Sequence, residues 1–249
     1  MKLIDLSWPK VKEVVKTVDT AVLPIGAVEA HGPHLTVDAD NIICSYLAEE
    51  FSEKINGLLL PVLSYGQVWS LKNFPGSINV KDETIINLIF DIAESLERNG
   101  LKNLVIVNSH FGNNAALKKA CRKTIEGTNV NAIAFTHPGL EKVSEGVLES
   151  KRAHPNYLHA EEIETSMILY ISSDKVNMDK AVADYPCFPK YFSSTSVPWD
   201  KITKVGVIGD ATVATKEKGM KLLQGILENM VDIYEEWKDD CNEVKGVHE

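Results

Sequence analysis

Residues 82–113, DETIINLIFDIAESLERNGLKNLVIVNSHFGN, hold the logic of the whole chain in miniature. Ile85, Ile86, Leu88, Ile89, Ile92, Ala93 and Leu96 recur at helical spacing, so the pattern predicts an amphipathic helix over 82–99. Asn99-Gly100 supplies its stop. The apolar run NLVIVN at 103–108 then predicts a strand, which ends in the polar cluster Asn108-Ser109-His110-Phe111-Gly112-Asn113. A helix, a turn and a strand that delivers polar side chains at its carboxyl end indicate a layered α/β protein.

The same alternation extends in both directions. Further strands are expected at 20–25, 57–63 and 130–135, and the proline inside the second favours an edge or a strand end. Helices are expected at 41–55 and 113–126. A long last helix at 215–237 carries Met220, Leu223, Ile226, Leu227, Met230 and Tyr234 as its buried stripe. The segment 182–204, with three prolines and three serines, reads as a long loop rather than a boundary, because the helices flanking it need a shared core. The expectation is one α/β domain over 1–249 with a largely parallel sheet.

Composition narrows the function classes. At 249 residues and 44% hydrophobic, the chain can bury a sizeable core. A formal net charge of -9 without any Lys/Arg run disfavours a nucleic-acid surface, which needs a basic patch. Four dispersed cysteines, Cys44, Cys121, Cys187 and Cys241, suggest neither a disulfide framework nor a thiolate zinc site. The N-terminus does not read as a signal peptide and no window approaches a membrane span, so a soluble, cytoplasmic protein with no membrane partner is expected.

Three clusters carry ligand-type side chains. The first is Glu29, His31 and Asp40 within LPIGAVEAHGPHLTVDAD at 23–40, where extended backbone would aim Glu29 and His31 to one side. The second holds His110, with Ser109, Phe111 and Asn113 as candidate substrate contacts. The third is HAEEIETS at 159–166, opening an apolar helix. If that helix includes His159, then His159 and Glu162 share a face; if it starts after Glu162, Glu164 becomes the rival ligand. Taken singly, each cluster also reads blandly: polar loops, or Glu161 and Glu162 as first-turn acids complementing the helix dipole. Together they form an oxygen-and-nitrogen donor set suited to zinc, manganese or iron(II). His34 is a candidate for orienting a carboxylate from behind the ligands. His137 and His154, each before a proline, read as loop residues, and His248 as a tail residue.

The order of these blocks resembles the creatininase (creatinine amidohydrolase) family. The family's PxGxxEQHGPHLPLxTD stands here as PIGAVEAHGPHLTVDAD, its NGHGGN as NSHFGN, and its HAGExETS as HAEEIETS. FPGSI at 74–78 and GDAT at 209–212 add lesser matches, so the resemblance spans about 20–220. It implies a three-layer α/β/α sandwich and two divalent metal ions per subunit, zinc foremost with manganese or iron(II) as alternatives. Glu29, Asp40 and His110 would hold one ion; His31, Asp40 and Glu162, with Glu164 as the alternative, would hold the other. His159 would sit beside a small-molecule substrate, polarising its carbonyl or shuttling a proton. A homohexamer is likewise implied.

Departures from the family pattern point away from creatinine itself. Gly112 stands where creatinine-hydrolysing members carry a glutamate ligand, and no tryptophan lies between Trp69 and Trp199. Phe111, Glu161 and Leu71 also depart from common family residues. The chain is therefore more similar to the branch of formamide hydrolases and a peptide-trimming member. The expected reaction is hydrolysis of a C–N bond in a small cyclic amide, formamide or related amide. Opening of a lactone or cyclic ketone on the same site is the alternative, as is a non-catalytic small-molecule-binding member.

Overall fold

The computed structural model describes residues 1–246, so His248 lies outside the described residues. The elements run α1 (Trp8–Val14), β1 (Thr20–Ile25), α2 (Ala39–Lys54), β2 (Leu58–Leu59), α3 (Asp82–Arg98), β3 (Asn103–Asn108), α4 (Asn114–Gly127), β4 (Asn131–Thr136), α5 (Leu140–Ser144), α6 (Glu162–Ile171), β5 (Ala183–Asp184), β6 (Gly209–Asp210) and α7 (Lys216–Gly246).

Strands β1 to β4 form a parallel sheet in the order β2-β1-β3-β4. Every residue of β1 and β3 is buried, which is why both strands read as near-continuous apolar runs. Alternate residues feed two separate cores. Ala21, Leu23, Ile25, Leu104 and Ile106 pack on one side with Ile85 and Ile89 of α3 and Leu117 of α4. Val22, Val105 and Val107 pack on the other with Phe51 of α2, Met167 of α6 and Leu223 and Met230 of α7. Two helical layers thus enclose one sheet, the expected α/β/α sandwich.

Helix α3 stops where its sequence says it should. Gly100 takes a left-handed φ of +87°, and Leu101 N–H donates back to Leu96 O at 3.1 Å, closing the last turn. Two residues leave their expected stripes: Leu88 is 44% exposed and Met220 is 43% exposed.

The second expected strand, 57–63, is a correction: only Leu58–Leu59 forms strand, with isolated bridges from Lys2 to Leu59 and from Ile25 to Leu63. Leu60 N–H still donates to Val22 O, but Pro24 lacks the N–H that would make the next bond, and pairing resumes only where Leu63 N–H donates to Pro24 O. The 182–204 loop is not wholly irregular, since β5 within it pairs antiparallel with β6. Helix α7 also continues nine residues beyond the expected end at 237.

The register matters most for function. Ile25 stands opposite Asn108, and Asn108 opposite Thr136, so β1, β3 and β4 end level. The loops that leave them emerge side by side at the carboxyl edge of the sheet.

Candidate metal centre

The first loop leaves β1 at Gly26, pressed against the start of α2. A Cβ there would stand 2.7 Å from Asn41 N and 2.9 Å from the Asp40 carbonyl carbon, so this approach requires glycine. Asn41 Nδ2 staples the crossing by donating to Ala27 O at 3.0 Å and Ser64 O at 3.2 Å. The result sets Asp40, in the first turn of α2, next to Glu29 and His31, all three buried. His110 arrives from the end of β3, and His159 from the segment before α6.

Six side chains converge. His31 Nε2 lies 3.4 Å from Asp40 Oδ1 and 3.9 Å from both Glu29 Oε1 and Glu164 Oε2. His110 Nδ1 lies 3.1 Å from Asp40 Oδ2 and 3.2 Å from Glu29 Oε1. His159 Nδ1 stands 3.6 Å from Glu29 Oε1 and 3.9 Å from Glu164 Oε2. The ligand atoms fall into three triads: Glu29–Asp40–His110, His31–Asp40–Glu164 and Glu29–His31–His159. Asp40 serves two of them, one with each oxygen.

The far nitrogen of every ring meets a backbone carbonyl. His31 Nδ1 faces Glu29 O at 3.2 Å, His110 Nε2 faces Gln67 O at 2.7 Å, and His159 Nε2 faces Ala30 O at 2.7 Å. A carbonyl only accepts, so each ring carries its hydrogen on that side and turns the other nitrogen toward the carboxylates. His31 Nε2 and Asp40 Oδ2 are buried without a hydrogen-bond partner. Converging carboxylate oxygens and oriented imidazole nitrogens, two of these atoms unsatisfied, fit a hard-to-borderline divalent cation.

The electrostatics show what the cluster does with protein groups alone. Burial opposes charge on His31, yet Asp40, Glu164 and Glu29 outweigh it and push the imidazole up to about 10. His110 is likewise raised despite burial, by Glu29 and Asp40. Burial works against ionised Asp40 too, but His31 and His110 hold its carboxyl below the usual range. Burial pushes Glu164 up to about 7. His159 moves the other way, to about 4, through burial and the neighbouring His31.

The third motif requires a correction. Helix α6 begins at Glu162 with Glu161 as its N-cap, whose carboxylate accepts from Ile163 N–H at 3.0 Å. His159 therefore precedes the helix, and its spacing to Glu162 carries no shared face. Glu162 is not in the cluster: it pairs with Lys218 Nζ at 2.6 Å and accepts from Ser150 N–H at 2.8 Å. Glu164 faces the centre instead, held by Ala160 N–H at 2.5 Å. Glu164, the rival ligand from sequence, is thus the ligand candidate of this motif.

Other candidates separate as well. Ser109 and Phe111 line a cavity of about 400 Å³ that opens from the centre. Asn113 does not line it: its side chain is spent accepting from Gln67 N–H and donating to Gly26 O and Asn108 Oδ1. The neighbouring Asn114 faces the cavity instead. His34 orients no carboxylate; its Nε2 meets Thr165 Oγ1 at 2.8 Å. His137 sits in a turn as expected but is buried, 3.2 Å from Ser109 Oγ.

Sequence reasoning missed the outer wall. Arg152, His154, Tyr157 and Trp199 line the cavity, and the Trp199 ring stands edge-on to His159 at 5.4 Å. A tryptophan does reach the site, from the 182–204 loop. The cluster of prolines and aromatics there was the one available signal.

Gly112 has its own explanation. A Cβ at that position would collide with the His110 ring and with Gln67 O, so no side chain fits while His110 keeps its place. The carboxylate that faces the centre comes instead from α6, as Glu164.

The family model described as creatinine amidohydrolase matches residues 4–234. Creatinine amidohydrolase of Pseudomonas putida is 25% identical, covering 93% of this chain and 95% of that protein. A mycofactocin precursor peptide peptidase of Mycolicibacterium smegmatis is 24% identical, covering 93% of this chain and 90% of its own length. Among solved structures, a mutant creatininase of Zn-Zn type superposes with a TM-score of 0.85 at 25% identity, covering 94% of this chain and 97% of that one.

Proposed function

The chain belongs to the creatininase (creatinine amidohydrolase) family, and from that premise we propose that it uses two divalent cations to hydrolyse a C–N bond in a small amide. It is a metal-dependent hydrolase acting on amide-like C–N bonds; the cation count, the residue roles and the substrate are the proposal. Glu29, Asp40 and His110 would hold one cation, and His31, Asp40 and Glu164 the other. The observation that carries this reading is Asp40, whose two oxygens face His31 and His110 separately. Such cations, when bound, would supply the acidity to activate a water and the charge to polarise a carbonyl.

The remaining work falls to side chains. The His159 Nε2 hydrogen is committed to Ala30 O, so the ring offers its Nδ1 lone pair toward the centre. A neutral imidazole in that orientation accepts a proton from the attacking water and passes it to the departing nitrogen. Of the two roles expected for His159, the geometry favours the shuttle. Ser109 and Phe111 contact the substrate, and the cavity walls exclude bulk water.

Glycine at 112, and a tryptophan supplied from 199 instead of from mid-chain, support a substrate other than creatinine: a formamide, a cyclic amide or a peptide terminus. We further propose a homo-oligomer, measured by light scattering.

The test is reconstitution of cation-free protein with Zn(II), Mn(II) or Fe(II), metal analysis, and a hydrolysis screen. The screen holds creatinine and other cyclic amides, N-formyl amines, short peptides, lactones and cyclic ketones. Two cations per chain and release of an amine are expected. A single bound cation overturns the bridging role of Asp40, and turnover of lactones or ketones alone overturns the C–N assignment.

A further inference from the structure

Glu162 is fully buried and takes no part in the metal centre. Its partner Lys218, at the start of α7, is also buried, and its Nζ contacts Glu162 Oε1 at 2.6 Å, Glu149 Oε1 at 2.8 Å and Val213 O at 2.6 Å. A carboxylate placed in a first helical turn would ordinarily serve its own helix, but that task belongs to Glu161. Glu162 instead accepts from the backbone N–H groups of Glu149 at 3.0 Å and Ser150 at 2.8 Å.

Those two N–H groups belong to the segment 149–158, which has no helix or strand of its own. The segment nevertheless supplies Arg152, His154, Tyr157 and Leu158 to the cavity, and runs directly into His159. Glu162 and Glu164 are two residues apart on α6, about 200° around the helix axis. One turn of helix therefore presents one carboxylate to the metal centre and the other to the cavity wall.

We infer that Glu162 and Lys218 form a positioning pair that fastens the segment 149–158 as one wall of the substrate cavity. The inference rests on the hydrolase reading for its effect on turnover, but not for the fastening itself. A buried charge with a permanent counter-charge and two backbone donors holds one geometry, whereas a loop held only by its own turns samples several. Loosening the wall removes contacts made to bound substrate and leaves the cation ligands untouched.

The experiment uses the double variant Glu162→Gln/Lys218→Met, which removes both charges together and so avoids stranding either one. Single Glu162→Gln serves as the milder second variant. Hydrogen exchange should speed up at least about tenfold across 149–158 while α7 keeps its protection. On the best substrate from the screen, the cation-loaded variant should show a KM raised about tenfold or more, kcat within about threefold, and unchanged cation content. Unchanged exchange at 149–158 overturns the inference whether or not the enzyme turns over. Faster exchange with KM unaltered reduces the pair to a structural one and also overturns it, as does loss of kcat and cations together. A wild-type protein that hydrolyses nothing in the screen defeats the hydrolase reading, and the exchange result still decides the fastening.

Discussion

The molecule buries carboxylates in two neighbouring places and treats them differently. At Glu162 the protein supplies its own cation, Lys218, together with two backbone donors, and the group is held ionised. Burial there opposes the charge, but Lys218 and Ser150 win and the carboxyl is lowered. Around Asp40, three carboxylates face three imidazoles and, among the described residues, no lysine or arginine, and two buried ligand atoms have no hydrogen-bond partner. A buried acid that the fold satisfies completely belongs to the architecture; a buried set of converging donor atoms, two of them without a hydrogen-bond partner, suits a cation from outside.

The contrast is sharpest in a pair of substitutions. Asp40→Ala should remove both cations and lower kcat by at least about 10³-fold, whereas Glu162→Gln should leave both cations in place. Metal analysis of the purified variants checks this, and equal cation loss from both would erase the distinction. Removing the lysine alone is the next largest effect. Lys218→Met leaves Glu162 buried without its counter-charge, and should cost about 3–5 kcal/mol in denaturant unfolding. A loss below about 1 kcal/mol would mean that the pair is far better hydrated than its burial implies.

His159→Gln should reduce kcat by about 10²-fold at constant cation content, since a proton carrier is lost and no ligand is. If the cations leave as well, His159 acts as a ligand through the triad with Glu29 and His31. Trp199→Ala, which opens the outer wall, should raise KM by up to about tenfold with little change in kcat.

The last contrast is in pH, where the two neighbouring acids respond with opposite sign. Glu162 has a lowered folded pKa, so its contribution is present above the unfolded value of 4.5 and is lost as pH falls through the folded one. Burial pushes Glu161 up to about 8, so its protonated form is favoured on folding. That contribution is full below about 4.5 and disappears as pH rises to about 8. Denaturation curves between pH 3 and 9 should therefore lose their acid-side slope in Glu162→Gln and part of their alkaline-side slope in Glu161→Gln.

Much of the fold was legible because periodicity reports burial. Buried strands β1 and β3 and the two-faced helix α3 announce themselves, and so do the polar residues at the strand ends. What failed to show had local causes. The second strand shrank because Pro24 has no N–H to continue the ladder beyond Leu60. Sequence placed Glu162 ahead of Glu164, and the structure reverses that order, because the start of α6 decides which way each points. That start is set by Glu161 as N-cap and by Ala160 at a φ of +49°, neither of which leaves a periodic trace. Asn113 looked like a substrate contact because it neighbours His110, yet a fully bonded amide has nothing left to offer. Trp199 was hidden because position within a long loop is fixed by tertiary contacts alone.

Gly112 has a consequence for how such a centre can change over generations. A glutamate at that position collides with His110 and the Gln67 carbonyl, so exchanging the α6 ligand for a loop ligand cannot begin with the loop. The His110 ring and the 67 backbone must move first, at a stage when the new carboxylate brings no benefit. Position 112 is thereby closed to any side chain while the centre keeps its form, whereas the outer wall of Arg152, His154, Tyr157 and Trp199 carries no such constraint in its packing against the ring of His110.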